Sequence, residues 1–251
     1  MKPYLSVVIP SYNEMKNLKR GVLDTVLEYL KKQSYQWEII LTDDGSQDGT
    51  TQKLHDFAKK DDRIKVIDNI HAGKAPTVTA GMLGAKGEWR LFTDFDQSTP
   101  ISEVEKLLQH TKKGFSVILG SREMVGAKRD EEPFYRRLMG RGFNLLVQIL
   151  AVPGILDTQC GFKLFSADAT DTLFNKLYIY GSQKERKDAY TGAFDVELLY
   201  LANKLKYSIQ EVPITWYHNS TERVSPVKDS IRMFIDILRM RFARIRGKYE
   251  L

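Results

Sequence analysis

The chain has 251 residues, 42% hydrophobic and 28% charged, with 38 basic against 32 acidic side chains and a net charge of +6. That is the composition of an ordinary globular protein, and the length suits one large α/β domain or two small ones. The single cysteine, Cys160, excludes an internal disulfide and a cysteine-rich zinc site, and no two of the four histidines have His-x-x-x-His spacing.

In chain order, short β-branched runs alternate with helical patterns. Leu5–Ile9, Trp37–Thr42, Ile64–Asp68, Trp89–Thr93 and Phe115–Gly120 read as strands. Leu18–Lys32, Thr50–Lys60, Ala75–Ala85 and Ile101–Lys112, lying between them, carry apolar residues at helical spacing. Strands apolar on both faces and separated by helices predict a mostly parallel sheet flanked by helices, with ligands beyond the carboxyl ends of its strands. Farther on, Phe134–Ala151 and Gly192–Leu205 read as helices, Cys160–Ser166 and Ser208–Tyr217 as strands, and 181–190 as a charged loop. The apolar run Leu5–Ile9 is too short for a secretory leader. No apolar stretch approaches the ~20 residues that span a bilayer. The expectation is a cytoplasmic protein, soluble or peripheral on the cytoplasmic face of a membrane.

The last stretch differs from the rest, so the chain divides at sequence level into a domain over 1–225 and a basic amphipathic helix over 226–251. Val227, Ile231, Phe234, Leu238, Phe242 and Ile245 share one helical stripe, which Met233, Ile237 and Met240 widen. Lys228, Arg232, Arg239, Arg241, Arg244 and Arg246 border it. Such a helix suits a membrane surface, with the rim on anionic headgroups, and it equally suits packing on the domain.

Every strand tip in the first half is polar: PSYNE, DDGSQDGT, NIHAGKA and DFDQS. Asp94 and Asp96, one residue apart in an extended segment, point the same way and suit a hard cation such as Mg²⁺ or Mn²⁺. Asp43 at a strand tip can accept bonds from a ribose or base. Tyr12 can lie against a base, with Glu14 on its ring N–H or the ribose. Lys74, after Gly73 at a loop-to-helix junction, is placed for phosphate. Neither a P-loop nor a Gly-x-Gly-x-x-Gly turn is present, which removes the usual support for ATPase and dinucleotide readings.

Taken together, VVIPSYNE, DDGSQDGT, GKA and DFD resemble the GT-A glycosyltransferases, in the large inverting family that includes chitin, cellulose and dolichol-phosphate sugar synthases. DTQCGFKLF, FDVELL, EVPITWY and GSRE with YRRLMGRGFN resemble its polyprenyl-phosphate branch, and within it the dolichyl-phosphate glucose synthases. The resemblance implies a GT-A fold and transfer of one sugar, UDP-glucose being the favoured donor and GDP-mannose the alternative, to a polyprenyl or dolichyl phosphate. It implies donor contacts from Pro10, Tyr12, Asn13, Glu14, Asp43, Gly73, Lys74, Asp94, Phe95 and Asp96. The metal ligands it implies are Asp94 and Asp96, with Gln97 or Ser98 as a third. Arg122, Arg137, Lys163 and Arg223 are implied acceptor-side contacts, with Arg136 and Arg141 as substitutes, and Asp157 or Asp195 is the base if one is used. A membrane surface or membrane protein is the implied partner.

Three rival readings share pieces of this pattern. An aspartate-nucleophile phosphatase also opens on Asp-x-Asp, although there the pair ends the first strand of the domain. A nucleic-acid module would need basic and aromatic residues on one face, whereas here the basic residues gather near the acceptor motifs and the last helix; no nucleic acid is expected. A soluble sugar acceptor would leave the GSRE and YRR arginines unused.

Overall fold

The structure, a computed structural model, describes residues 2–130, 142, 144–181, 192–219 and 226–249, without the side chains of 226–229. Seven strands form one sheet in the order β3-β2-β1-β4-β7-β5-β8: β1 Leu5–Ser11, β2 Trp37–Asp43, β3 Ile64–Asp68, β4 Trp89–Thr93, β5 Val117–Ser121, β7 Phe162–Ser166 and β8 Ile209–Pro213. All neighbours run parallel except β7, which is antiparallel to both β4 and β5. A two-stranded ribbon pairs β6 (Lys128–Arg129) with β9 (Thr215–Trp216). The expected α/β architecture is present.

Burial explains the sequence runs. β1, β2, β4 and β5 are buried along their whole length. Alternate residues serve two cores: Val8, Ile40, Phe92 and Phe165 face one side, while Val7, Ile39, Leu91 and Leu164 face the other. The second side is covered by α2 (Val22–Lys31), α3 (Thr50–Ala58) and α5 (Val104–Thr111). The first is covered by α4 (Lys74–Gly84), α6 (residues 144–150), α7 (Ala167–Asn175), α8 (Phe194–Lys204) and α9 (Pro226–Ile245). At Gly81 in α4 a Cβ would stand 2.4 Å from Val8 Cγ1, so glycine lets this helix lie close on the sheet.

Several elements depart from the sequence reading. The helix over Leu18–Lys32 is two helices, α1 (Met15–Lys19) and α2, parted by Gly21 at φ 72°. The one over Ile101–Lys112 begins as a 3₁₀ turn at Ile101–Glu103. The last strand divides at Ile214, with β9 leaving the main sheet to pair with β6. A helix the sequence reading lacked, α7, starts where the Ser166 hydroxyl caps Ala169 N–H. Half of the helix expected over Phe134–Ala151 and all but Gly181 of the 181–190 loop lie outside the described residues.

The C-terminal helix α9 shares the first core. Ile237, Met240 and Ala243 are buried there, and Tyr249 beyond it donates to Glu197 Oε1 at 2.5 Å. Among the described residues no helix is long and apolar enough to cross a membrane.

Register sets the site. Ser11 pairs with Asp43 and Asp43 with Asp68, so β1, β2 and β3 end level. The strand order turns back on itself between β1 and β4, the switch point where such sheets open a crevice. Because β7 is antiparallel, its start lies at this same edge, and Asp94 N–H bonds Gly161 O at 3.2 Å.

Candidate active site

Directly after β4, Asp94 receives the Lys74 ammonium on Oδ1 at 2.5 Å. Lys74 opens α4 from across the β1–β4 crevice. Burial acts to lower its pKa, but Asp94, Asp195 and Asp96 outweigh it and hold Lys74 above its usual value. Asp94 rests against the Cα of Gly161, where a Cβ would meet its Oδ2 at 2.1 Å. Glycine at 161 is therefore what gives this carboxylate its place.

Asp96 follows on the same side. Its own burial and then the Asp94 charge push its pKa up, against the Ser98 N–H bond at 2.9 Å. Gln97 stands at φ 50° with its amide turned back onto Thr93 Oγ1 and Asp94 O, leaving Oε1 buried without a protein partner. Of the two candidates for a third ligand, Gln97 keeps an unspent oxygen, and the Ser98 hydroxyl accepts from Asn219 Nδ2 at 3.2 Å. Asn219 also donates to Asp96 O at 3.2 Å, and Tyr217 N–H to Ser98 O, so the segment after β9 clasps the DFDQS loop.

On the other side of Asp94 lie two more ion pairs. Asp157 accepts Arg122 Nε at 2.7 Å, Nη2 at 2.8 Å and the Arg122 backbone N–H at 2.9 Å. Burial would raise the Asp157 pKa, yet Arg122 and then Lys163 hold it at about 2. Glu211 on β8 accepts the backbone N–H groups of Leu156 and Asp157, which aims this pair. Arg122 is partly exposed and lies 5.5 Å from the Trp216 ring. Lys163 is fully buried, donating to Asp195 Oδ1 at 2.6 Å and to the Cys160 carbonyl. Burial pushes the Cys160 thiol up to about 12, so it stays neutral.

The charges do not cancel. Asp157 takes Arg122 and Asp195 takes Lys163, so among the described residues Asp94 and Asp96 share Lys74 alone. One more cation fits electrostatically, and two carboxylate oxygens suit a hard divalent ion whose other ligands come from phosphate and water. Among the described residues no group of three or more Asp, Glu, His or Cys is placed to hold a metal ion.

The loop after β2 is more self-contained than its sequence suggests. Asp43 accepts four bonds, from the hydroxyls of Ser11, Ser46 and Thr51 and the Ser46 N–H, so a nucleoside would have to replace one of these donors. Just before Lys74, the residue expected at phosphate, the backbone N–H groups of Ala72 and Gly73 are held by Asp44 at 2.8 and 3.1 Å. Asp44 also holds His71 Nδ1 at 2.9 Å, and the His71 ring stacks on Tyr12 with centroids 4.2 Å apart. Asn13 and Glu14 tie β1 to this loop through Ser46, Gln47 and Thr50.

Three of the expected contacts are buried in the fold. Pro10 is a buried residue of β1, Phe95 packs in the second core, and Lys163 has no surface to offer a phosphate. Arg137 and Arg223, with Arg136 and Arg141, lie outside the described residues. Tyr12, Asp43, Lys74, Asp94, Asp96, Gln97, Arg122, Asp157 and Asp195 do come to the carboxyl edge. Sequence reasoning gave no role to Asp44, His71, Gly161, Glu211, Trp216 or Asn219, although all stand in or beside stretches it marked.

Comparison with known proteins agrees with this geometry. The family model Glycosyl transferase family 2 matches residues 6–174. A dolichyl-phosphate beta-glucosyltransferase of Dictyostelium discoideum is 35% identical over 99% of this chain and 77% of its own length. The Homo sapiens enzyme of that name is 34% identical over 98% of the chain and 78% of its length. Among solved structures, glucosyl-3-phosphoglycerate synthase of Mycobacterium tuberculosis, in complex with Mn²⁺, UDP and glucosyl-3-phosphoglycerate, superposes with a TM-score of 0.65 at 17% identity, covering 95% of this chain and 80% of its own. A Pyrobaculum calidifontis mannosyltransferase with GDP-Man and Mn²⁺ gives 0.60 at 18% identity, covering 95% and 65%. Both of these are GT-A glycosyltransferases, and the likeness shows that fold.

Proposed function

The chain belongs to glycosyl transferase family 2, and from that premise we propose that it transfers one glucose from UDP-glucose to a polyprenyl or dolichyl phosphate, with inversion at the sugar C1. The observation that carries the proposal is similarity over nearly the whole chain to relatives named for that reaction, since the matched length includes both the Asp94–Lys74–Asp96 cluster and the Asp157–Arg122 pair.

In this reading the donor diphosphate lies beyond β4. Asp94 and Asp96 would hold Mg²⁺ or Mn²⁺, which supplies neutralisation of the negative charge that grows on the leaving diphosphate. Lys74 adds a fixed positive charge from the opposite wall. Tyr12 and His71 offer flat faces to the uracil. On the acceptor side, Arg122 binds the lipid phosphate, oriented by the Asp157 carboxylate behind it. A phosphate oxygen attacks C1, the bond from C1 to the UDP oxygen breaks, and UDP departs. With a second pKa of about 6, the phosphomonoester is already anionic at neutral pH and needs alignment more than deprotonation. Asp157 and Asp195, both engaged with cations, then act as positioning groups.

The test is to incubate the protein with radiolabelled UDP-glucose or GDP-mannose, Mg²⁺ or Mn²⁺, and polyprenyl phosphate. Label from UDP-glucose is expected in an organic-soluble glycolipid, and Asp96→Ala is expected to abolish it with the fold intact. Label from GDP-mannose alone would reassign the donor. Undiminished metal-dependent turnover in Asp96→Ala would sink the site assignment.

A further inference from the structure

We propose that the outer face of α9, continued by α6, docks on an anionic lipid bilayer and thereby brings the acceptor phosphate to Arg122. The docking claim stands on the surface itself; the delivery claim rests on the transferase reading.

α9 has two apolar faces, and the core uses only one. Ile237, Met240 and Ala243 point inward. At 100° per residue the opposite side carries Ile231, Phe242 and Ile245, which are 57%, 60% and 79% exposed, with Phe234 and Leu238 partly covered between them. Of the twelve large hydrophobic residues exposed among the described residues, eight lie on α9, on α6 or at Leu156. Scattered exposed apolar side chains need no explanation, but this concentration does.

The border of the stripe identifies its partner. From Ser230 to Tyr249 there are six basic residues and one acid, Asp236. Asp236 turns inward, accepting the Tyr180 hydroxyl at 2.6 Å and Arg239 Nη1 at 3.0 Å. Helical spacing places Arg239 on one edge of the stripe and Arg241 and Arg244 on the other, all exposed. Cations on both edges of an apolar stripe match anionic headgroups flanking acyl chains. They oppose a second copy of the chain, which would set arginine against arginine.

The surface also reaches the site. Arg241 Nη1 donates to Leu150 O at the end of α6. At the start of α6, Asn144 Nδ2 donates to the Leu156 carbonyl. Leu156 is exposed and directly precedes Asp157, which grips Arg122. A polyprenyl tail entering the bilayer beside α6 leaves its phosphate one residue away from the clamp.

The experiment compares the full chain with Ile231→Asp/Phe242→Asp, whose changes sit opposite the packed face. Flotation uses vesicles of phosphatidylcholine alone and with phosphatidylglycerol. Turnover uses a short water-soluble prenyl phosphate and a long one embedded in vesicles. The parent protein is expected to float with the anionic vesicles and to release at high salt. The variant is expected to keep its circular dichroism melt, bind at least about tenfold more weakly, and lose vesicle turnover while retaining short-chain turnover. Absence of vesicle binding by the parent, equal binding by the variant, or a lipid-free dimer that the two substitutions dissolve would overturn the docking surface. Floating without turnover on either acceptor would refute the transferase reading and the delivery claim, leaving docking in place. Equal loss of both turnovers in a folded, non-floating variant would refute delivery alone.

Discussion

Replacing Gly161 by alanine adds one methyl group at the point where the acidic pair is positioned. The Gly161 φ lies outside the left-handed range, so the methyl is the main novelty. Its Cβ would sit 2.1 Å from Asp94 Oδ2 and 2.5 Å from Cγ, whereas ordinary contact begins at 3.4 Å. The carboxylate must therefore withdraw by about 1.3 Å, taking Oδ1 away from the Lys74 ammonium. Misplacement of a reacting group by roughly 1 Å costs on the order of a hundredfold in rate. Because the Asp94 side chain is 41% exposed it can yield toward solvent, and the fold should lose only about 1–3 kcal/mol. The assay is initial-rate glycolipid formation at saturating metal, with a thermal melt alongside. A folded Gly161→Ala protein within threefold of the parent would refute the view that Asp94 must stand where it does.

Three further outcomes follow from the ion pairs and the clasp. Asp157 has its folded pKa depressed from 3.8 to about 2, so its stabilisation is complete above about pH 4 and is lost as pH falls toward 2. Urea denaturation of the parent and Asp157→Asn at pH 6 and pH 2.5 should show their gap shrinking by about 2 kcal/mol; a pH-independent gap contradicts the pairing. Lys163→Met strands the buried Asp195 carboxylate and should cost about 3–5 kcal/mol, with Asp195→Leu added to it restoring part of the loss. A single-variant loss below about 1 kcal/mol would show that the pair is not buried as described. Asn219→Ala removes two of the three bonds by which this segment clasps the DFDQS loop, worth about 1 kcal/mol, and should raise the donor KM roughly fivefold with kcat near the parent value. An unchanged donor KM would show that the clasp does not position Asp96.

Much of this architecture is legible in the sequence because a parallel sheet imposes two demands a pattern can show: strands buried on both faces, and polar residues at their ends. LSVVI and WRLFT meet the first demand, and PSYNE and DFDQS the second. What stays hidden is which polar groups the chain spends on itself. Asp43 and Asp44 stand side by side in DDGS, and no local pattern tells that one would gather three hydroxyls and the other the Ala72 and Gly73 N–H groups. Lys163 alternates with Leu164 like any strand residue, and its burial depends on Asp195, 32 positions away. The α9 stripe was read with the correct periodicity, but helical spacing could not say which of its two apolar sides the core would take. Gly161 escapes for a simpler reason: its importance lies in an atom it lacks.

The most direct measurement is anomalous diffraction from crystals soaked in UDP and Mn²⁺. One manganese peak is expected about 2.1 Å from carboxylate oxygens of Asp94 and Asp96, with the diphosphate on its far side. A diphosphate bound away from the end of β4, or manganese absent beside a bound nucleotide, would contradict it.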